Sequence, residues 1–356
     1  MNKFSLSKQD TAVLKGIAIV AMLFHHLYYS IPQWVEPYTG VWLYLGIAGK
    51  ICVAIFLFCS GYGLETQYRD ITGFSNSCKF VIKRLTSFYL NYWVIFILCV
   101  PVTILFFDRP LSVAYGEGLN GTEMTLFFIQ DIIGLAGFHS YNITWWFNFL
   151  IVIFYLVFPF VSWLARKNGV ITLVSSIAVL VLLKSEYSMN VYQFAFVLGI
   201  LWSKAAAQHS TAQHSTNYIV IKYVLPIVLA TAVILSVRIC LLPRDWSDVK
   251  MDFLILSSIL LTLGFVLIVI IFLRKSEITM SVFSFLGRHA TNIYLMHTFV
   301  NVYWQFHWLH EGTFMRNGGN FFVLLTICMG FSMLLEYVKN KMGFYKLLDQ
   351  IKTRLS

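Results

Sequence analysis

The chain has 356 residues, of which 58% are apolar and only 12% charged, with a mean hydropathy of +0.73. Soluble domains carry about 25% charged residues, so this composition excludes an ordinary water-soluble fold and fits helices whose outer faces meet lipid. The formal charge of +10 does not suggest a nucleic-acid partner, because the basic residues lie in short connections between apolar runs, as in a positive-inside membrane topology.

A bilayer-crossing helix needs about 20 mostly apolar residues. In chain order the pattern predicts spans over 11–31, 41–64 and 86–107. A moderately apolar stretch over 124–138 contains Asp131 and reads as an interfacial or re-entrant piece. Spans follow over 143–165, 169–184, 191–207, 222–242, 250–273, 285–308 and 320–338. The thinnest separation is the polar break Lys184-Ser185-Glu186. The expected fold is therefore an all-α integral membrane protein with about ten transmembrane helices.

Charge sets the orientation. With a cytoplasmic N-terminus, the outside segments hold only Arg109, Lys184, Arg244, Lys250 and Arg316, and the inside ones hold most of the 26 Lys and Arg residues. One missed span would invert everything downstream, so both termini are expected in the cytoplasm. A single transmembrane domain over 1–339 is expected to be followed by a basic amphipathic tail over 340–356. In that tail Phe344, Leu347, Leu348 and Ile351 recur at helical spacing, suiting an anionic leaflet. The first run follows Lys3 and Lys8 but lacks an A-x-A site, so it reads as a retained span. The six cysteines form no CxxC pair and mostly lie in apolar runs, where they behave as small hydrophobes. No metal site is expected.

Ionisable groups inside a span are costly and are functional candidates by default. Lys15 and His26 are eleven residues apart, three helical turns plus about 20°, so they share one face about 16 Å apart. His25 points roughly 80° away from that line. The plainer reading is a positive-inside lysine and an interfacial histidine pair beneath Tyr28-Tyr29. Ser60-Gly61, in the apolar run ending at Leu64, either lets two helices approach closely or lines a ligand path beside Glu65 and the basic Lys83-Arg84 pair. In the ninth span, His297 lies about 15 Å beyond Gly287. It reads as either a satisfied structural histidine or a partner for His26 in a polar cavity.

Several separated motifs together resemble acyltransferase family three, the integral-membrane O-acyltransferases that decorate bacterial surface polysaccharides. Leu14-Lys15-Gly16-Ile17-Ala18 through Phe24-His25-His26 is similar to the family's first helix, with its basic residue and histidine. Phe56 through Gly63 is similar to its Phe-rich Ser-Gly stretch, and Phe80 to Tyr92, with Arg84, to its basic third-helix entry. Trp146-Phe147 through Phe154-Tyr155-Leu156-Val157-Phe158-Pro159 and Leu286-Gly287 to Tyr294-Leu295-Met296-His297 complete the set. The chain departs from the family in carrying Lys15 for an arginine, Ser87 for a second arginine and Ala290 for a serine. Phe149-Leu150-Ile151-Val152 stands where acidic residues are often found.

The resemblance implies a bacterial cell-membrane enzyme. It would take an acyl group from cytoplasmic acyl-CoA, usually acetyl-CoA, and place it on a hydroxyl of a glycan or lipid-linked sugar acceptor. Lys15, Lys83 and Arg84 then suit the donor phosphates, and Ser60 and Gly61 suit its pantetheine arm. Histidine is the side chain whose unperturbed pKa suits a general base, the role His26 would take, though it could instead carry the acyl group transiently, and His297 would orient or assist. Without the motifs, a transporter or flippase of glycan intermediates fits the same spans.

Overall fold

The computed structural model describes residues 5–29, 40–69, 71–183, 188–208, 248–304, 306 and 314–354, with position 233. The described residues are mostly helical and contain no strand. In chain order the helices are α1 Lys8–Tyr28, α2 Gly40–Ala48, α3 Ile51–Tyr68, α4 Phe74–Phe106, α5 Leu111–Tyr115, α6 Gly121–Ile132 and α7 Trp146–Lys167. They continue with α8 Gly169–Leu182, α9 Met189–Gln208, α10 Asp248–Ile271, α11 Glu277–Arg288, α12 Ala290–Thr298, α13 Phe314–Lys341 and α14 Phe344–Arg354.

Among the described residues, six stretches are long and apolar enough to cross a membrane: Lys8–Tyr28, Gly40–Tyr68, Phe74–Phe106, Ile143–Lys167, Ile255–Lys275 and Asn317–Lys341. They correspond to the first, second, third, fourth, eighth and tenth expected spans. The fifth is the shorter apolar helix α8, the sixth is α9, and the seventh lies outside the described residues except for position 233. The ninth is not one straight helix. The chain ends α11 at Arg288, restarts α12 at Ala290 and closes in a π-helical turn, Phe299–Tyr303.

The described chain falls into two compact units. The first comprises Met1–Tyr29, Pro37–Asp70 and Phe160–Arg288. Its α1 starts with a capping box. Ser7 Oγ accepts from the Asp10 N–H (3.1 Å), and Asp10 Oδ2 accepts from the Ser7 N–H (2.7 Å). The same carboxylate takes a forked pair from Arg274, Nε to Oδ1 at 3.0 Å and Nη2 to Oδ2 at 2.7 Å, and Arg274 Nη2 also donates to the Ser5 carbonyl at 2.6 Å. One arginine thus ties the start of α1 to the end of the α10 span.

Close backbone contact holds this unit together, as expected where lipid leaves little hydrophobic drive between helices. A Cβ on Gly16 would overlap the Phe283 carbonyl, and one on Gly287 would overlap the Ala12 carbonyl, so α1 and α11 run antiparallel through two reciprocal glycine contacts. α3 and α9 repeat the device: Gly61 meets the Phe196 carbonyl and Gly199 meets the Phe58 carbonyl.

The second unit comprises Ile71–Pro159 and His289–Ser356. Phe299 N–H bonds Met296 O as α12 gives way to the π-turn. The Leu295 carbonyl receives Trp145 Nε1 (3.0 Å) and Asn142 Nδ2 (3.4 Å) instead. Tyr294 Oη donates to Thr144 O (3.0 Å) and Asn148 Oδ1 (3.1 Å). The polar residues of two separated sequence motifs therefore join the start of α7 to α12.

Lys339 is buried in this unit. Its Nζ donates to Asn91 Oδ1 (3.0 Å), Asn292 Oδ1 (3.1 Å) and Glu336 Oε1 (3.2 Å). Asn292 Nδ2 returns to Ser332 Oγ (3.1 Å) and Glu336 Oε1 (2.8 Å). The tail helix α14 buries Leu348, its Tyr345 hydroxyl donates to the Glu336 carboxylate, and Lys339 Nζ lies 5.5 Å from the Phe344 ring centre. The tail is thus docked on α13 through its first turn.

Candidate active site

α1 is unbroken from Lys8 to Tyr28, so Lys15 and His26 keep their eleven-residue offset on one side of the helix, and both are half-buried. His25 faces elsewhere. It is buried, and its Nδ1 lies 2.8 Å from the Gly46 carbonyl, the ring being held against α2. Its ring meets that of His26 edge-on at 5.0 Å.

α3 runs antiparallel to α1. Gly46 packs on Tyr28-Tyr29 at one end, and Gly49 packs on the Ala21–His25 turn next to it. At the other end Lys15 comes within electrostatic reach of Cys59. Lys15 therefore stands beside the Cys59-Ser60 stretch, and His26 stands where α2 meets α1. Ser60 is half-buried, whereas Gly61 is filled by α9 and serves close packing.

In the second unit Lys83 and Arg84 are half-buried on α4. His297 is fully buried, with Nδ1 2.8 Å from Tyr294 O and 3.2 Å from Ile293 O, and Nε2 3.4 Å from Thr298 Oγ1. Its ring is held by its own helix, and Thr298 Oγ1 lies 2.8 Å from Thr144 Oγ1. Of the seven residues read from sequence, Lys15, His26, Ser60 and Gly61 belong to the first unit, and Lys83, Arg84 and His297 to the second.

Two features lie outside the site residues read from sequence. Lys50, inside the Gly40–Tyr68 stretch, is half-buried at the break between α2 and α3. Asp131, in the last turn of α6, is buried and fully engaged. Its Oδ2 accepts from Tyr141 N–H (2.6 Å) and Tyr115 Oη (3.1 Å), and its Oδ1 accepts from Tyr92 Oη (3.2 Å). Burial pushes its carboxyl up to about 6, against the opposing pull of these donors and of Ser140. Beside it, the Arg109 guanidinium carbon lies 4.0 Å from the Tyr303 ring centre. Among the described residues, no group of three or more His, Cys, Asp or Glu could hold a metal ion.

Apolar helices long enough to span a bilayer, with a histidine and a lysine along one side of the first, define the class as a membrane protein. The family described as an acyltransferase domain, acyltransferase family 3, matches residues 12–338, and the chain belongs to it. It is a membrane acyltransferase by family. No curated protein and no solved structure matches the chain.

Proposed function

We propose that the protein is an O-acyltransferase of the bacterial cell membrane. It takes an acyl group, most simply acetyl from acetyl-CoA, and places it on a hydroxyl of a cell-surface or exopolysaccharide sugar, free or lipid-linked. The observation that carries this reading is the match to the acyltransferase family across 12–338, with the Lys15–His26 line inside it.

The chain crosses the bilayer ten times with both ends in the cytoplasm, so Lys15 opens on the side where acyl-CoA is found. Lys15, Lys83 and Arg84 bind the donor's phosphates through charge-assisted hydrogen bonds. Ser60 borders the pantetheine path, and Gly61 sets the α3–α9 approach that holds Ser60 in place. His26 takes the proton of the sugar hydroxyl as that oxygen attacks the thioester carbon, and returns it to the departing thiolate. His297 orients the reacting groups through its helix.

Mass analysis of surface glycans from a deletion strain tests the reading. A lost mass increment equal to one acyl group per modified sugar is expected. An unchanged acylation pattern with altered export of the glycan would instead indicate a transporter.

A further inference from the structure

The second membrane-length stretch contains a lysine where its helix breaks. α2 ends at Ala48, Gly49-Lys50 form a turn, and Lys50 is the N-cap residue of α3. Lys50 stands about 15 Å from the Gly40 end at the helical rise, about a third of the way along the 29-residue Gly40–Tyr68 stretch. A cation at that depth is a functional candidate because lipid does not solvate it.

The antiparallel register places this lysine against α1. Gly46 O is bonded by His25, Gly49 packs on the Ala21–His25 turn, and Cys59 lies within reach of Lys15. Lys50, one residue beyond Gly49, is therefore level with the turn that precedes His26. It lies between the Lys15 end of α1 and the histidine. All of these residues belong to one compact unit.

We propose that Lys50 is a catalytic residue whose ammonium group donates to the carbonyl oxygen of the donor thioester beside His26. This rests on the acyl-transfer reading above. As the sugar oxygen bonds to the thioester carbon, His26 takes the hydroxyl proton and the carbonyl electron pair moves onto oxygen, where Lys50 meets the new negative charge. When the carbonyl re-forms, the carbon–sulfur bond breaks and the thiolate leaves with the proton from His26. Lys50 ends the cycle with the protons it began with. Donors already fixed where charge develops are worth most in a site shielded from water.

The test uses full-length protein in liposomes, labelled acetyl-CoA, and surface glycan extracted from a deletion strain. Lys50→Met is expected to keep the wild-type unfolding temperature and a KM for acetyl-CoA within about threefold, while kcat falls about 10²–10³-fold. Lys50→Arg is expected to recover part of that loss. Wild-type kcat in Lys50→Met would overturn the role of Lys50 alone. A lowered unfolding temperature with equal losses in both variants would make the lysine structural and also overturn it. A wild-type protein that transfers no label would overturn the acyl-transfer reading, and Lys50 with it.

Discussion

At the scale of single residues, two adjacent histidines are separated by rotation about one helix. His25 is spent on the Gly46 carbonyl, whereas His26 lies along the Lys15 side of α1. His26→Ala is expected to leave a folded, inserted protein with transfer reduced at least 10²–10⁴-fold, the range of general-base loss. His25→Ala should retain substantial transfer. Rates normalised to membrane-inserted protein check this, and the reverse pattern would mean that the other face of α1 carries the chemistry. Asp131 gives a prediction in pH. Its folded-state value of about 6 lies above the unfolded carboxylate value. Its contribution is thus fully present below about pH 4 and is lost as pH rises through about 6. The native state should lose roughly 3 kcal/mol over that window. In Asp131→Asn the unfolding temperature should vary less between pH 4 and 7 than in the wild type. Parallel profiles would show that the carboxyl titrates normally.

At the scale of elements, α1 and α11 meet through Gly16 and Gly287, each against a carbonyl on the other helix. A backbone oxygen cannot rotate away as a side chain can. Gly287→Leu is therefore expected to force the helices apart and to cost about 1–3 kcal/mol or more, read as a lowered unfolding temperature in detergent. An unchanged temperature would mean that α11 is free to shift. The long apolar helices were legible in the sequence because twenty apolar residues have few other uses. The break at Gly49-Lys50 was not, since the run stays apolar on both sides of it. Nor was the restart of the ninth span at Ala290, where no proline marks the boundary. Asp131 and Lys339 looked like an interfacial acid and a positive-inside charge. Their buried partners Tyr92, Asn91 and Asn292 come from helices distant in sequence, Tyr141 comes from the loop that follows α6, and no periodicity encodes such pairings. For the candidate site, Lys15 and His26 were legible because both sit on one helix, whereas the place of Lys50 depends on how a second helix packs against it.

At the scale of the whole molecule, the family match extends over nearly the entire chain and takes in residues of both compact units. The direction in which the chain crosses the bilayer then decides which face meets the proposed acyl-CoA donor. Reporters fused after Lys167 and at the C-terminus should read as cytoplasmic and one near Asn120 as exterior, following the Lys and Arg distribution. An exterior C-terminus would contradict the ten-span topology. The central claim is that the protein catalyses transfer from a thioester, and its most direct measurement is the fate of labelled acetyl-CoA given to the purified, reconstituted protein with its glycan acceptor. The account predicts that label leaves the thioester and appears as an ester on the glycan, in wild type but not in His26→Ala. An intact thioester in the presence of folded wild-type protein, or equal transfer by His26→Ala, would contradict it.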